Sequence, residues 1–89
     1  MFLFAASLIF AQPKTLTLLS SQDNSFIANA LVYSGDDFLG ATNQKGQIEI
    51  KTSFQVVKIV RENFDDAAFT LSEIEKLNWT IKLQPITYI

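Results

Sequence analysis

The sequence predicts an all-β fold, a sandwich of about seven short strands, and three observations carry that prediction. From Thr15 onward apolar and polar residues alternate with a period of two, the signature of strands with one buried face. Clusters of Gly, Asp, Asn and Ser interrupt the alternation at short, fairly regular spacing. The chain is also short and rich in core-forming residues, with 89 residues, 48% of them hydrophobic and 8 of them Phe. That content excludes a disordered chain, and the length allows one domain at most.

The elements follow in order. In "TLTLLS", Leu16 and Leu18 alternate with Thr15 and Thr17. "IANALV" places Ile27, Ala30 and Val32 as core positions of one strand, and "GDDFLGATNQKG" after it holds the turns and a short strand that connect it to the next. In "GQIEIK", Ile48 and Ile50 share a face while Gln47, Glu49 and Lys51 point away. "FQVVKIVR" is apolar on both faces, Val57 and Ile59 on one and Phe54, Val56 and Val60 on the other, which predicts a central strand. "LNWTIKLQ" alternates most clearly, with Leu77, Trp79, Ile81 and Leu83 on one side, until Pro85 ends it. Turns fall at residues 20–25, 34–37, 42–46 and 61–66. A short helical turn is expected at residues 72–76, ending at Lys76, with Ser72 and Glu75 as a capping box and Asp66 as the competing cap.

Composition narrows the function. Without Cys or His there is no thiolate or imidazole to act as nucleophile, base or metal ligand. The 7 basic residues are scattered against 9 acidic ones, so the chain lacks the basic patch that nucleic-acid binding requires. The pairs Asp36–Asp37 and Asp65–Asp66 could hold calcium or act as acid and base, but neither has the spacing of a calcium loop or a neighbouring nucleophile. They read as solvated turns. Trp79 and Tyr33 offer a carbohydrate-stacking platform, although the strand pattern puts Trp79 in the core. Asn78, Trp79 and Thr80 satisfy the N-glycosylation sequon, which matters only in a eukaryotic secretory pathway. The glycines of "GDDFLGATNQKG" lack the phosphate-loop pattern, and no helix start follows them. No catalytic, cofactor-binding or metal-ligating residue is assigned.

Residues 1–11, "MFLFAASLIFA", are apolar apart from Ser7 and too short to span a bilayer, which needs about 20 apolar residues. They read as the h-region of a signal peptide cleaved after Ala11, leaving Gln12 first; a buried strand or helix is the alternative. No basic residue precedes the run, and Ile9 stands where a small residue is usual. A lipoprotein is excluded because no cysteine is present to carry the lipid.

"IANALV" resembles the Ile-x-x-Ala-x-Val core of the carboxypeptidase regulatory-like domain, a transthyretin-like Greek-key sandwich of seven strands. "GATNQKGQIEI" is similar to that family's Gly-x-Thr-Asp-x-x-Gly-x-Phe-x-Ile segment, with Gly40, Thr42, Gly46 and Ile50 in place, Asn43 for Asp and Ile48 for Phe. "VVKIVRENF" resembles the strand before the family's Gly-Tyr pair, replaced here by Asn63 and Phe64, and "WTIKLQP" its closing Leu-x-Pro strand. The resemblance implies a sandwich domain over residues 12–85, followed by a tail or linker at 86–89. In many exported proteins of bacterial outer envelopes, including TonB-dependent receptors, such a sandwich is the N-terminal module. The expected function is therefore a non-catalytic structural or interaction module of an exported protein in the periplasm, outer membrane or extracellular space, forming the front of a longer polypeptide. Its partner would be another protein or an adjacent domain, with no cofactor, nucleic acid or transmembrane segment in the mature chain. The competing expectation is a stand-alone carbohydrate- or small-ligand-binding sandwich, which requires Tyr33, Phe38 and Tyr88 to converge on one exposed face.

Export has a direct test. The intact mass of protein recovered from its native host is expected to lack residues 1–11; a mass that retains Met1 through Ala11 contradicts the signal-peptide reading.

Overall fold

A computed structural model describes residues 13–51 and 53–86; the segment expected to be a signal peptide, Tyr88 and the end of the chain lie outside the described residues. Seven strands form two sheets: β1 (Lys14–Ser20), β2 (Leu31–Ser34), β3 (Asp37–Ala41), β4 (Gln47–Ile50), β5 (Val56–Val60), β6 (Ala67–Thr70) and β7 (Thr80–Leu83). One helix, α1 (Leu71–Lys76), joins β6 to β7. The sheets have the orders β4-β1-β7 and β3-β2-β5-β6. Pairing is antiparallel except between β1 and β7, where Leu18 lies beside Ile81 in a parallel ladder. Non-sequential neighbours such as β1 with β4 and β2 with β5 arise because the chain passes repeatedly from one sheet to the other, the Greek-key character expected of the sandwich.

Alternation builds the core. Leu16 and Leu18 of β1, Ile48 and Ile50 of β4, and Ile81 and Leu83 of β7 turn inward from one sheet. Val32 of β2 and Val57 and Ile59 of β5 meet them from the other, with Ile27, Ala30, Phe54 and Ile74 closing the ends. Burying an aliphatic side chain of this size contributes about 1.5–3 kcal/mol, so these few residues carry the folding of a small domain.

Three expectations are corrected. The strand read through Ile27, Ala30 and Val32 does not exist as one strand. Asn29 sits at φ 61, which breaks the ladder, so β2 starts at Leu31 although all three residues are buried. The strand read from Leu77 starts only at Thr80, because Leu77, Asn78 and Trp79 close the helix. Asn78 adopts φ 56 after the Leu77 cap, and the N–H groups of Trp79 and Asn78 donate to Ile74 O and Glu75 O at 2.9 and 3.1 Å. This is a Schellman closure with Asn in the left-handed position, and it leaves Leu77 exposed. The helix itself begins earlier than expected. Its cap is Thr70, whose Oγ1 accepts from Glu73 N while the Glu73 carboxylate accepts from Thr70 N at 2.8 Å. "TLSE" and "SEIE" are overlapping boxes, and Thr70 prevails because the end of β6 already holds it in the extended conformation an N-cap needs.

Phe54 is a smaller correction. It lies ahead of β5 and is buried in the core, rather than sharing a face with Val56 and Val60. β5 is central in its sheet, as expected, but its second face is open: Val56 is 44% exposed.

Two glycines are fixed by close approach. Gly40, at φ 142, sits where the β2–β3 register shifts between Val32 and Tyr33, and a Cβ there would come within 3.1 Å of Ile48 Cδ1. Gly46, at φ 71, is buried against the backbone, and a Cβ would lie 2.5 Å from Leu18 O. Gly35, at φ 61, has open space around it. In chemical denaturation Gly46→Ala is therefore expected to cost well over the roughly 1 kcal/mol of strain expected for Gly35→Ala. Equal costs would contradict the close packing of the Gly46 turn on β1.

Candidate functional site

The stretch from Ile27 to Ile50 carried both the functional question and the family resemblance, and its geometry is that of a clasp. Thr42 is buried, and its hydroxyl donates to Ile27 O at 2.7 Å while accepting from Ala30 N at 2.9 Å. The backbone repeats the link: Asn29 N donates to Thr42 O at 2.9 Å and Thr42 N to Ala30 O at 3.0 Å. Asn43 then organises the turn into β4, its Oδ1 accepting from Lys45 N at 2.8 Å and Gln47 N at 3.0 Å. Gly46 O accepts from Leu18 N at 2.8 Å, and Leu18 O accepts from Ile27 N at 3.0 Å. The hydroxyl, the amide and the glycine are thus consumed by the fold. Among the described residues no buried side-chain nitrogen or oxygen lacks a hydrogen-bond partner.

The acidic pairs stay apart from any such convergence. Asp36, Asp37, Asp65 and Asp66 are all exposed, Asp36 in a turn, Asp37 at the start of β3 and the other two in the segment before β6, and no group of three or more carboxylates gathers among the described residues. Among the described residues Asp23 is the one carboxyl with a clear shift. The Ser25 hydroxyl and then the Ser25 N–H hold its pKa below the ordinary value, through bonds of 2.7 and 3.0 Å. That bond closes a surface turn. Arg61 is also structural: its Nε donates to Ala28 O at 2.7 Å, tying the end of β5 to the segment before β2.

The aromatic residues divide. Trp79 packs half-buried against the core, edge-on to Phe54 at 6.1 Å, from the turn that closes the helix rather than from a strand face. Tyr33 and Phe38 come together across β2 and β3, with ring centroids 5.4 Å apart and planes inclined by 56°. Phe38 is 58% exposed and Tyr33 half-buried.

Those two rings belong to a larger feature. The outward face of β3-β2-β5-β6 carries Phe38, Leu31, Tyr33, Val56 and Val60, with Lys58 at its middle and Ala41, Ala68 and Thr70 at its margins. Leu31 is 37% exposed, so this face presents three large apolar side chains to solvent. The outward face of β4-β1-β7 is different: Thr15, Thr17, Gln47, Glu49, Thr80 and Lys82 dominate it, with Leu19 half-buried. A sandwich needs one apolar face per sheet, and the four-stranded sheet has two. The sequence signal was the double-sided apolar pattern of "FQVVKIVR", which reads equally as a strand buried on both faces.

Thr42→Val keeps the side-chain volume and removes the clasp hydroxyl. Leaving Ala30 N–H and Ile27 C=O buried and unpaired is expected to cost about 1–3 kcal/mol for each group, read from urea denaturation, with Thr42→Ser retaining most of the stability. A neutral Thr42→Val would contradict the clasp.

No protein-family model, curated protein or solved structure matches this chain. The fold is that of a small two-sheet β-sandwich of seven strands, and function is argued from its surface.

Proposed function

We propose that the chain is a non-catalytic structural and interaction module of an exported cell-envelope protein, built on a transthyretin-like sandwich of the carboxypeptidase regulatory-like kind. The observation that carries the reading is the second apolar face of the four-stranded sheet, where Leu31, Phe38 and Val56 stay 37–58% exposed. Contiguous apolar surface on a small domain marks a contact site, because leaving it in water forgoes about 25 cal/mol for each Å². Support for the fold family comes from the positions that carried the resemblance: Ile27, Ala30, Thr42 and Gly46 meet in one hydrogen-bonded clasp.

Contact through the sheet face is favoured over addition of a strand to an edge. The β3 edge is interrupted by its bulge, the β4 edge carries Glu49, and β6 has only 4 residues before it turns into the helix. Such features blunt edge pairing. The carbohydrate-binding reading has one observation in its favour, the Tyr33–Phe38 pair. A sugar stacks on a ring laid flat and open, whereas these planes are inclined by 56° and Tyr33 is half-covered.

The reading is tested in intact host cells by a photo-reactive residue placed at Val56 or, on the opposite face, at Lys82. Discrete protein adducts are expected outside the cytoplasm from position 56 and not from 82. Absence of adducts at 56, or equal adducts at both, contradicts the interaction reading.

A further inference from the structure

We infer that the outward face of β3-β2-β5-β6 docks a second copy of this chain, face to face about a twofold axis running along the strands between β2 and β5. The inference rests on the interaction reading above and names the partner of that face.

Its basis is the register of the two central strands. Leu31 lies directly across from Val60, and Tyr33 directly across from Lys58. A twofold between the strands exchanges the members of each cross-strand pair, so Leu31 of one copy meets Val60 of the other, and Lys58 of one copy meets Tyr33 of the other. Apolar side chains therefore meet apolar side chains, and the ammonium meets an aromatic ring, a favourable cation–π contact in desolvated surroundings. Tyr33, Gly35, Asp36, Lys58 and Val60 surround one shallow depression on this face, which places the Asp36 carboxylate beside the incoming Lys58 as well. Lys58 has no ion-pair partner among the described residues; the single ion pair there joins Lys51 to Glu49 on the other sheet. The face thus carries one cation and, one strand and one turn away, the ring and carboxylate that complement it. A second copy adds its own Tyr33 and Asp36 to the ring and carboxylate that already neighbour Lys58 within each chain, whereas an unrelated apolar partner would add neither.

Size sets the strength. Four strands about 4.8 Å apart, each contributing four or five residues at about 3.3 Å, give a face on the order of 300 Å². A stable interface buries about 800 Å² on each partner, so the pair is weak and reversible.

Sedimentation velocity and amide NMR of the purified chain, from about 10 μM to about 1 mM, test the inference. A monomer–dimer equilibrium is expected, with concentration-dependent shifts at Leu31, Tyr33, Phe38, Lys58 and Val60 and none at Thr17 or Lys82. Lys58→Glu is expected to weaken association by about tenfold or more, because it sets a carboxylate against Tyr33 and Asp36. Phe38→Ser should weaken it as well, while Lys82→Glu leaves it unchanged; thermal unfolding confirms that each variant is folded. A chain that stays monomeric at the highest concentration overturns the inference, as does association indifferent to Lys58→Glu. Shifts of the same residues on phosphatidylcholine vesicles without self-association overturn it in favour of a lipid surface. A monomer that still gives adducts from position 56 in cells removes only the second copy as partner, and loss of both removes the interaction reading itself.

Discussion

The Thr42 hydroxyl is the point on which the two sheets are hung together. It bonds at once to Ile27 O and Ala30 N, on the segment that carries the chain from β1 in one sheet to β2 in the other. Thr42 stands at the reverse crossing, between β3 and β4. A single buried side chain thereby reinforces two inter-sheet crossings that the backbone pairs Asn29 N–Thr42 O and Thr42 N–Ala30 O also link. The demand for partners at buried backbone groups makes this constraint sharp. Ile27 and Ala30 cannot be held in the core unless something satisfies the irregular backbone around Asn29, and Thr42 is what does so. Gly46 completes the arrangement, since only a residue without a side chain lets the turn before β4 close on Leu18 O.

That view explains why a stretch rich in Gly, Asp, Asn and Lys has the look of a binding loop. The polar groups inside it, the Thr42 hydroxyl and the Asn43 side-chain carbonyl, are spent on backbone N–H and C=O groups, and its aspartates face solvent at and beside a tight turn. What remains free is apolar and lies on the strands. Leu31 follows the clasp directly, Phe38 lies on the strand that leads back to it, and both point away from the core. The clasp therefore positions the open face as well as the buried one.

Much of the fold was legible because burial and alternation agree. Leu16, Leu18, Ile48, Ile50, Val57, Ile59, Ile81 and Leu83 all lie inward as their spacing requires. The failures share a cause in residues whose backbone leaves the regular regions. Asn29 and Asn78 adopt left-handed conformations that asparagine tolerates but does not announce, and each broke a pattern that alternation alone would have extended. Thr70 was hidden by a second capping box two residues on. The open face was the least legible feature. Period-two patterning states which residues share a side, and Val56 and Val60 do; it cannot state whether another layer covers that side, because that depends on how many sheets the chain can build. The described residues build two.

Amide hydrogen exchange measures the clasp most directly. If Thr42 ties the crossings, the N–H groups of Ala30 and Thr42 exchange only when the whole domain unfolds, at the free energy shown by Leu18 in the centre of β1, although neither lies within a strand. Exchange of Ala30 at the rate of Lys45 in the exposed turn would mean that the crossing opens freely, and would contradict the account.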